Sequence, residues 1–259
     1  MIVHAVFPLS WRRWAIETAY NRIQTVILYL KFSGPWRNSL KSDLQDGYLR
    51  LYITRKCNCR CKFCDHYLLK LPDVDKHLIY NLLKPVYKKI KMLNLVGGEV
   101  TIIPETMKLC DFIASNFPHI TIFIETNGIR FDEKYQDFLV RDLPRIHFSV
   151  NAVDQQSFLQ HVWNRNYPGA EEAFGELQKN LLATQTLLRE KGLEVFMPSM
   201  SMVVTRENSS EVLPFLKMAL EYHALAATFY FNHLETASGN KLSEEAEFDA
   251  NAIDRKSVV

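Results

Sequence analysis

At 259 residues the chain has the length of one large domain or two small ones. Apolar residues at 47% and charged residues at 23% are the balance of a packed globule, which excludes disorder and collagen-like repeats, and a formal charge of +2 is too near neutral for a dedicated nucleic-acid binder. No stretch approaches the ~20 uncharged apolar residues of a membrane span, and MIVHAVFPLSWRRW puts its apolar run ahead of its arginines, the reverse of a secretory signal, so a soluble cytoplasmic protein is expected.

Residues 1–46 read as an N-terminal helical extension without a motif, containing Trp11, Trp14 and an apolar run from Ile23 to Phe32. Residues 11–32 have the composition of an amphipathic membrane-surface helix, but covering the open bottom or side of the fold is the preferred role. Tyr48–Thr54 (YLRLYIT) reads as a strand, residues 75–90 as a helix and 91–96 (KMLNLV) as a second strand ending at Gly97-Gly98-Glu99. A helix from Pro104 to Asn116 leads to strand 120–126, closed by Asn127-Gly128. Helix 132–142 precedes strand 145–151, and a helical stretch over 154–191 breaks near Pro168-Gly169. Residues 193–204 form a fifth strand, 209–223 a helix and 227–233 a sixth strand. The last 25 residues, with six acidic and three basic side chains, read as a polar tail. The expected division is an extension over 1–46, a core over 47–234 and a tail over 235–259.

Six strands alternating with helices are the pattern of parallel βαβ units, and near-continuous apolar runs suit strands buried on both faces. Right-handed crossovers leave an open doubly wound sheet or a barrel. In either, chemistry sits at the carboxyl ends of the strands, where this chain carries its polar punctuation. Cysteines follow strand one, Gly-Gly-Glu strand two, Glu-Thr-Asn-Gly strand three, Thr-Arg-Glu-Asn strand five and Asn232-His233 strand six, while Ser-Val-Asn closes strand four.

Four of five cysteines, Cys57, Cys59, Cys61 and Cys64, fall within eight residues, and Cys110 stands alone on an apolar helical face as a small hydrophobe. Neighbours this close do not make a disulfide framework and point to metal or redox chemistry in a reducing compartment. From Arg50 to Lys91 eleven Lys or Arg face three Asp, a local +8 that favours thiolates. Cys57-x3-Cys61-x2-Cys64 supplies three thiolates on one loop. Three hold three irons of a cuboidal 4Fe–4S cluster and leave the fourth open, whereas ferredoxin spacings complete the ligation.

This loop, CNCRCKFC, resembles that of the radical S-adenosylmethionine (radical SAM) superfamily, including Asn58 and the aromatic Phe63 before the third cysteine. The resemblance covers roughly residues 48–233 and implies a partial (β/α)6 TIM-like barrel of parallel strands. It implies one 4Fe–4S cluster on Cys57, Cys61 and Cys64, whose open iron is chelated by SAM. In such enzymes an electron from the cluster cleaves SAM to methionine and a 5′-deoxyadenosyl radical, which abstracts hydrogen from a substrate. Gly97-Gly98-Glu99 is similar to the family's Gly-Gly-Glu, with the glycines letting backbone approach the ligand and Glu99 accepting from the SAM ammonium. Thr126-Asn127-Gly128 resembles the turn lining that pocket, Ser149 and Asn151 stand where ribose hydroxyls are bound, and Arg206 pairs with the SAM carboxylate. Phe63 packs by the cofactor. A reductant such as a flavodoxin or ferredoxin is implied, and the substrate is a small molecule or a peptide.

Val100 stands where proline is usual in that family and Cys59 where leucine is usual, so Cys59 is expected to turn its sulfur away from the cluster into packing. No second cysteine cluster follows Cys110. The competing reading is a non-catalytic zinc or iron–sulfur module, with four cysteines and His66 as candidate ligands. It leaves the Gly-Gly-Glu and the polar strand ends unexplained. His119, His147 and His161 are expected to be packed or solvated, and Asn232 and His233 are substrate candidates by position alone.

Overall fold

The computed structural model describes residues 2–5, 47–64, 73, 76–163 and 169–231. The expectations for residues 11–32, for His66, for Asn232 and His233 and for the polar tail lie outside these.

The strands are β1 (Ile2–Ala5), β2 (Tyr48–Thr54), β3 (Met92–Gly97), β4 (Thr121–Thr126), β5 (Arg145–Ser149), β6 (Ser199–Val204) and β7 (Ala227–Phe231). The helices are α1 (Lys76–Leu83), α2 (Pro104–Asn116), α3 (Glu133–Asp142), α4 (Gln155–His161), α5 (Ala170–Glu190) and α6 (Val212–Glu221). One sheet runs β1-β7-β6-β5-β4-β3-β2. Strands β2 to β7 are parallel and strictly sequential, as right-handed crossovers of one sense require. The helical reading of the N-terminal extension is corrected at its start: Ile2–Ala5 is a strand, antiparallel to β7, from Ile2 beside Tyr230 to Ala5 beside Ala227. Four extended residues can join an open edge without a period of their own.

Local signals set the element ends. Pro104 begins α2, where a missing N–H costs nothing. Asp132 caps α3 by accepting from the Lys134 N–H at 3.2 Å, and Asp154 caps α4 by accepting from the Ser157 N–H at 2.8 Å. The expected helix 75–90 ends at Leu83, just ahead of Lys84-Pro85, and continues only as a 3-10 turn at Tyr87–Lys89.

The strands are not uniformly apolar, contrary to the expectation from their composition. Leu49, Leu51, Ile53, Leu93, Leu95, Ile122, Ile124, Ile146, Phe148, Met200, Met202 and Phe229 join the single core with helical residues such as Ile79, Ile113, Phe138 and Phe215. The alternate positions, Arg50, Asn94, Glu125, His147, Ser149, Ser199, Ser201 and Thr228, are polar and by the two-residue strand period lie on the opposite face. That face is concave. In a flat sheet β7 stands five spacings from β2, about 24 Å, yet the Tyr230 phenol on β7 feels the charges of Arg50 on β2 and Glu125 on β4. A curled parallel sheet with helices outside is the expected partial barrel.

Candidate active site

The cysteine loop leaves the carboxyl end of β2 and is tied down on every side. The Gly98 N–H donates to the Thr54 carbonyl at 2.9 Å and the Glu99 N–H to the Lys56 carbonyl at 2.7 Å. The Thr54 hydroxyl donates to Asp73 at 2.6 Å, and Lys56 pairs with the other Asp73 oxygen at 2.7 Å. Arg60 folds back to donate to the carbonyls of Cys57 and Cys59, both at 2.7 Å. Farther along, the N–H groups of Arg60 and Lys62 donate to the carbonyls of Val162 and His161 at the end of α4, each at 3.0 Å.

Cys57, Cys61 and Cys64 are half-buried and in no disulfide, whereas Cys59 is buried in the core. Hydrogen bonding from Cys59 holds the Cys57 thiol below its ordinary value. Hydrogen bonds to Cys57 and Cys61, together with burial, push the Cys59 thiol well up. The Cys57 and Cys59 thiols are thus pulled in opposite directions. The expected burial of Cys59 holds, but its sulfur is not remote from the other cysteines: it lies within hydrogen-bond reach of two of them and accepts from Asn127 Nδ2 at 3.2 Å. With leucine absent here, a small polarizable sulfur fills the position and bridges to the Asn127 turn. Phe63 is half-buried between Cys61 and Cys64.

Glu99 is 2% exposed and its carboxylate is filled by protein. Oε1 accepts from the Thr101 N–H at 3.0 Å and from the hydroxyls of Thr101 and Thr126 at 2.6 Å each; Oε2 accepts from the Asn127 N–H at 2.6 Å. Burial raises its pKa, against the pull of those donors. The expected role of this carboxylate is to accept from the SAM ammonium; its protein donors give it a structural task as well. That task is to staple the end of β3 to the turn after β4. Asn127 extends the staple by donating to Asn58 Oδ1 at 2.7 Å.

Asn151, expected near the ribose, likewise has protein partners. It adopts φ +59°, a left-handed conformation asparagine tolerates. Its amide donates to the Ser149 hydroxyl at 3.0 Å, and its carbonyl accepts from the Val203 N–H at 2.8 Å, locking β5 to β6. Ser149 is half-buried at the end of β5, and Arg206 is exposed in the loop after β6. The carboxyl ends of β2, β3 and β4 are thus brought into one bonded unit, with Ser149 and Arg206 farther along the same edge of the sheet.

The sequence profile of the radical SAM superfamily matches residues 51–219. The chain belongs to the radical SAM superfamily. The chain is 30% identical to a GTP 3′,8-cyclase of Trichodesmium erythraeum (strain IMS101) over 128 residues, 46% of this chain and 39% of that protein. It is 25% identical to the GTP 3′,8-cyclase of Syntrophomonas wolfei subsp. wolfei over 196 residues, 70% of this chain and 54% of that protein. The chain thus spans about half the length, or less, of these curated relatives. In fold it resembles Streptococcus suis SuiB bound to precursor peptide SuiA, with TM-score 0.59 and 12% identity over 92% of this chain and 54% of that one. It also resembles anSMEcpe with bound AdoMet and a peptide, with TM-score 0.57 and 16% identity over 78% and 56% of the two chains.

The superfamily's cofactors are a 4Fe–4S cluster and SAM, and the radical SAM loop here suits that cluster by its donors. Three half-buried cysteines outside any disulfide stand on one anchored loop. Among the described residues no group of three or more Cys, His, Asp or Glu gathers as around one metal ion. Besides the expected approach to ligand, the two glycines have a reason within the protein. A Cβ on Gly97 would stand 2.3 Å from the Thr54 carbonyl oxygen, and one on Gly98 2.2 Å from that of Lys56. They let the β3 turn pack on the backbone of the cysteine loop. Gly98→Ala is therefore expected to lower the unfolding free energy by about 1–3 kcal/mol and to reduce iron retained after anaerobic reconstitution, measured by urea unfolding and iron and sulfide analysis.

Two supports were not legible in sequence. Asp73 anchors the start of the loop, as described. On the other side Lys62 pairs with Glu207 at 2.8 Å, and buried His161 stands 3.4 Å from Glu207 and 3.7 Å from Glu211. Ser157 donates to Glu211 at 2.5 Å. These residues carry ordinary polar spacing, and only the fold makes them neighbours of the cysteines. Of the other histidines, His119 Nε2 lies 3.0 Å from the Tyr87 carbonyl, and buried His147 bonds Ser199 at 2.7 Å. No described helix is long and apolar enough to cross a membrane.

Proposed function

We propose that this chain is a cytoplasmic radical SAM enzyme in which Cys57, Cys61 and Cys64 ligate one 4Fe–4S cluster. Its core spans residues 47–234, with β1 joined to it from the N-terminal segment. The observation that carries this reading is the cysteine loop itself: three half-buried thiols, anchored to the ends of β3, β4 and α4, with Cys59 buried beside them. When bound, the cluster and SAM supply reductive cleavage of SAM and the hydrogen abstraction that follows.

The protein's residues orient and shield. Asn127 and Arg60 fix the loop conformation, and Glu99 and Asn151 hold the neighbouring strand ends in register. The backbone of Gly97, Gly98 and Glu99 lines the SAM pocket, Ser149 offers a hydroxyl to the ribose, Phe63 packs by the cofactor and Arg206 pairs with the SAM carboxylate. A low-potential flavodoxin or ferredoxin supplies the electron. The substrate is a small molecule or a peptide, the classes named for its relatives.

Anaerobic reconstitution tests this reading. The expected product is a brown protein with iron and sulfide in equal amounts that converts SAM to 5′-deoxyadenosine when dithionite is added. A colourless protein holding stoichiometric zinc, with no 5′-deoxyadenosine, overturns it.

A further inference from the structure

The concave face of the sheet carries a second polar construction, separate from the cysteine loop and four residues, about 13 Å, below the end of β2. Arg50 on β2 lies beside Asn94 on β3 in the strand register. Glu125 on β4 holds both: Oε1 accepts from Arg50 Nη2 and from Asn94 Nδ2 at 2.6 Å each, and Oε2 accepts from Arg50 Nη2 at 2.6 Å. Asn94 Nδ2 also donates to the Tyr48 hydroxyl at 2.6 Å.

This fixing leaves one atom of each side chain over. Asn94 is fully buried, and its Oδ1 accepts no hydrogen bond; the Arg50 Nε–H, likewise buried, donates none. Buried polar atoms without partners are rare in folded proteins because each forfeits its hydration. Here one is an acceptor and the other a donor, on adjacent strands and anchored to the same carboxylate oxygen. Glu125 neutralises Arg50, so the place offers no net charge to a phosphate or carboxylate. Tyr48 and Phe123, both buried on this face and outside the helix-side core, flank it with aromatic surface.

We infer that Arg50 and Asn94 form a recognition site for an amide edge, with the ligand's carbonyl accepting from Arg50 Nε–H and its N–H donating to Asn94 Oδ1. Resting on the radical SAM reading, this edge belongs to the substrate, which reaches from mid-sheet toward the cysteine loop. The same chemistry occurs in the lactam of an oxopurine base and in a peptide bond.

Two matched pairs of probes test it on the reconstituted full chain, by saturation-transfer NMR and titration. Inosine is compared with 1-methylinosine, and acetyl-diglycine methylamide with its fully N-methylated form. Binding of the parent in either pair, with at least tenfold loss on methylation of its N–H, is expected, and which pair responds identifies the source of the amide. Asn94→Leu removes the acceptor. Arg50→Lys keeps the ion pair with Glu125 but removes the Nε–H, which guards against a folding defect in the first variant. Each folded variant is expected to weaken the parent probe tenfold or more. Binding by neither parent, equal binding of parent and methylated probes, or undiminished binding by folded Arg50→Lys overturns the site. The radical SAM reading stands or falls separately on 5′-deoxyadenosine formation by the wild-type protein: amide binding without that product keeps the site and sinks the reaction.

Discussion

Cys57→Ala, Cys61→Ala and Cys64→Ala are each expected to leave less than about a tenth of the wild-type iron and sulfide after identical reconstitution, whereas Cys59→Ala is expected to retain most of both. The asymmetry follows from spacing and burial. A thiolate is the ligand form of cysteine, and a cluster with one iron open for SAM has no spare protein ligand to give up. Cys59 is buried and lies outside the Cys-x3-Cys-x2-Cys spacing. Its loss removes weak sulfur bonds with Asn127 Nδ2, Cys57 and Cys61 and a small apolar contact, about 1–2 kcal/mol of stability. Alanine is the better test than leucine, because the fully buried site is filled by sulfur and a larger side chain adds strain. A zinc site using all four sulfurs would respond to each variant alike. Loss of iron in Cys59→Ala equal to that in the other three would refute the assignment of ligands. SAM cleavage is expected to follow the iron content across the set, with no 5′-deoxyadenosine above background in the three ligand variants.

How much of this was legible in the sequence depended on whether the signal was local. Strand β2 and helix α2 match their expected spans, because a periodic run and a proline at the first helical turn decide them within a few residues. The cysteine loop was legible for the same reason, its four cysteines lying within eight residues. The concave polar face was not. Strings such as LRLYIT and TIFIET look apolar by composition, and only their pairing in register gathers Arg50, Asn94 and Glu125 into one construction. The structural partners of Glu99 and Asn151 were hidden for a common reason. A motif names a residue type, but whether its polar atoms face a ligand or the protein is set by partners distant in sequence, Thr126 and Asn127 for Glu99 and Val203 for Asn151. Strand β1 was missed because four residues hold no period, and their partner β7 lies more than 220 residues away.

Glu99→Ala is expected to cost about 3–5 kcal/mol of unfolding free energy, the range for breaking a buried, hydrogen-bonded charge network. Had the carboxylate faced SAM, the same variant would keep its fold and cluster and lose only cofactor affinity. The structure leads to the opposite order of effects. Removing the carboxylate strands four donors, the Thr101 and Asn127 N–H groups and the Thr101 and Thr126 hydroxyls, in a place that is 2% exposed. The total stability of such a domain is about 5–15 kcal/mol, so the loss is a large fraction of it. It also frees the turn at Asn127, whose side chain holds Asn58 and Cys59, so the cysteine loop loses one of its anchors. Iron retention should therefore fall together with the urea midpoint, at an unchanged m-value. Glu99→Gln separates geometry from charge. Its carbonyl oxygen can keep the three donors on Oε1, while its amide group meets the Asn127 N–H donor to donor. About 1–3 kcal/mol is expected from that one conflict, between wild type and Glu99→Ala. The decisive comparison is urea unfolding of the metal-free variants beside SAM titration of the reconstituted ones. Wild-type unfolding and iron content in Glu99→Ala, with SAM affinity alone reduced, would return the carboxylate to the ligand.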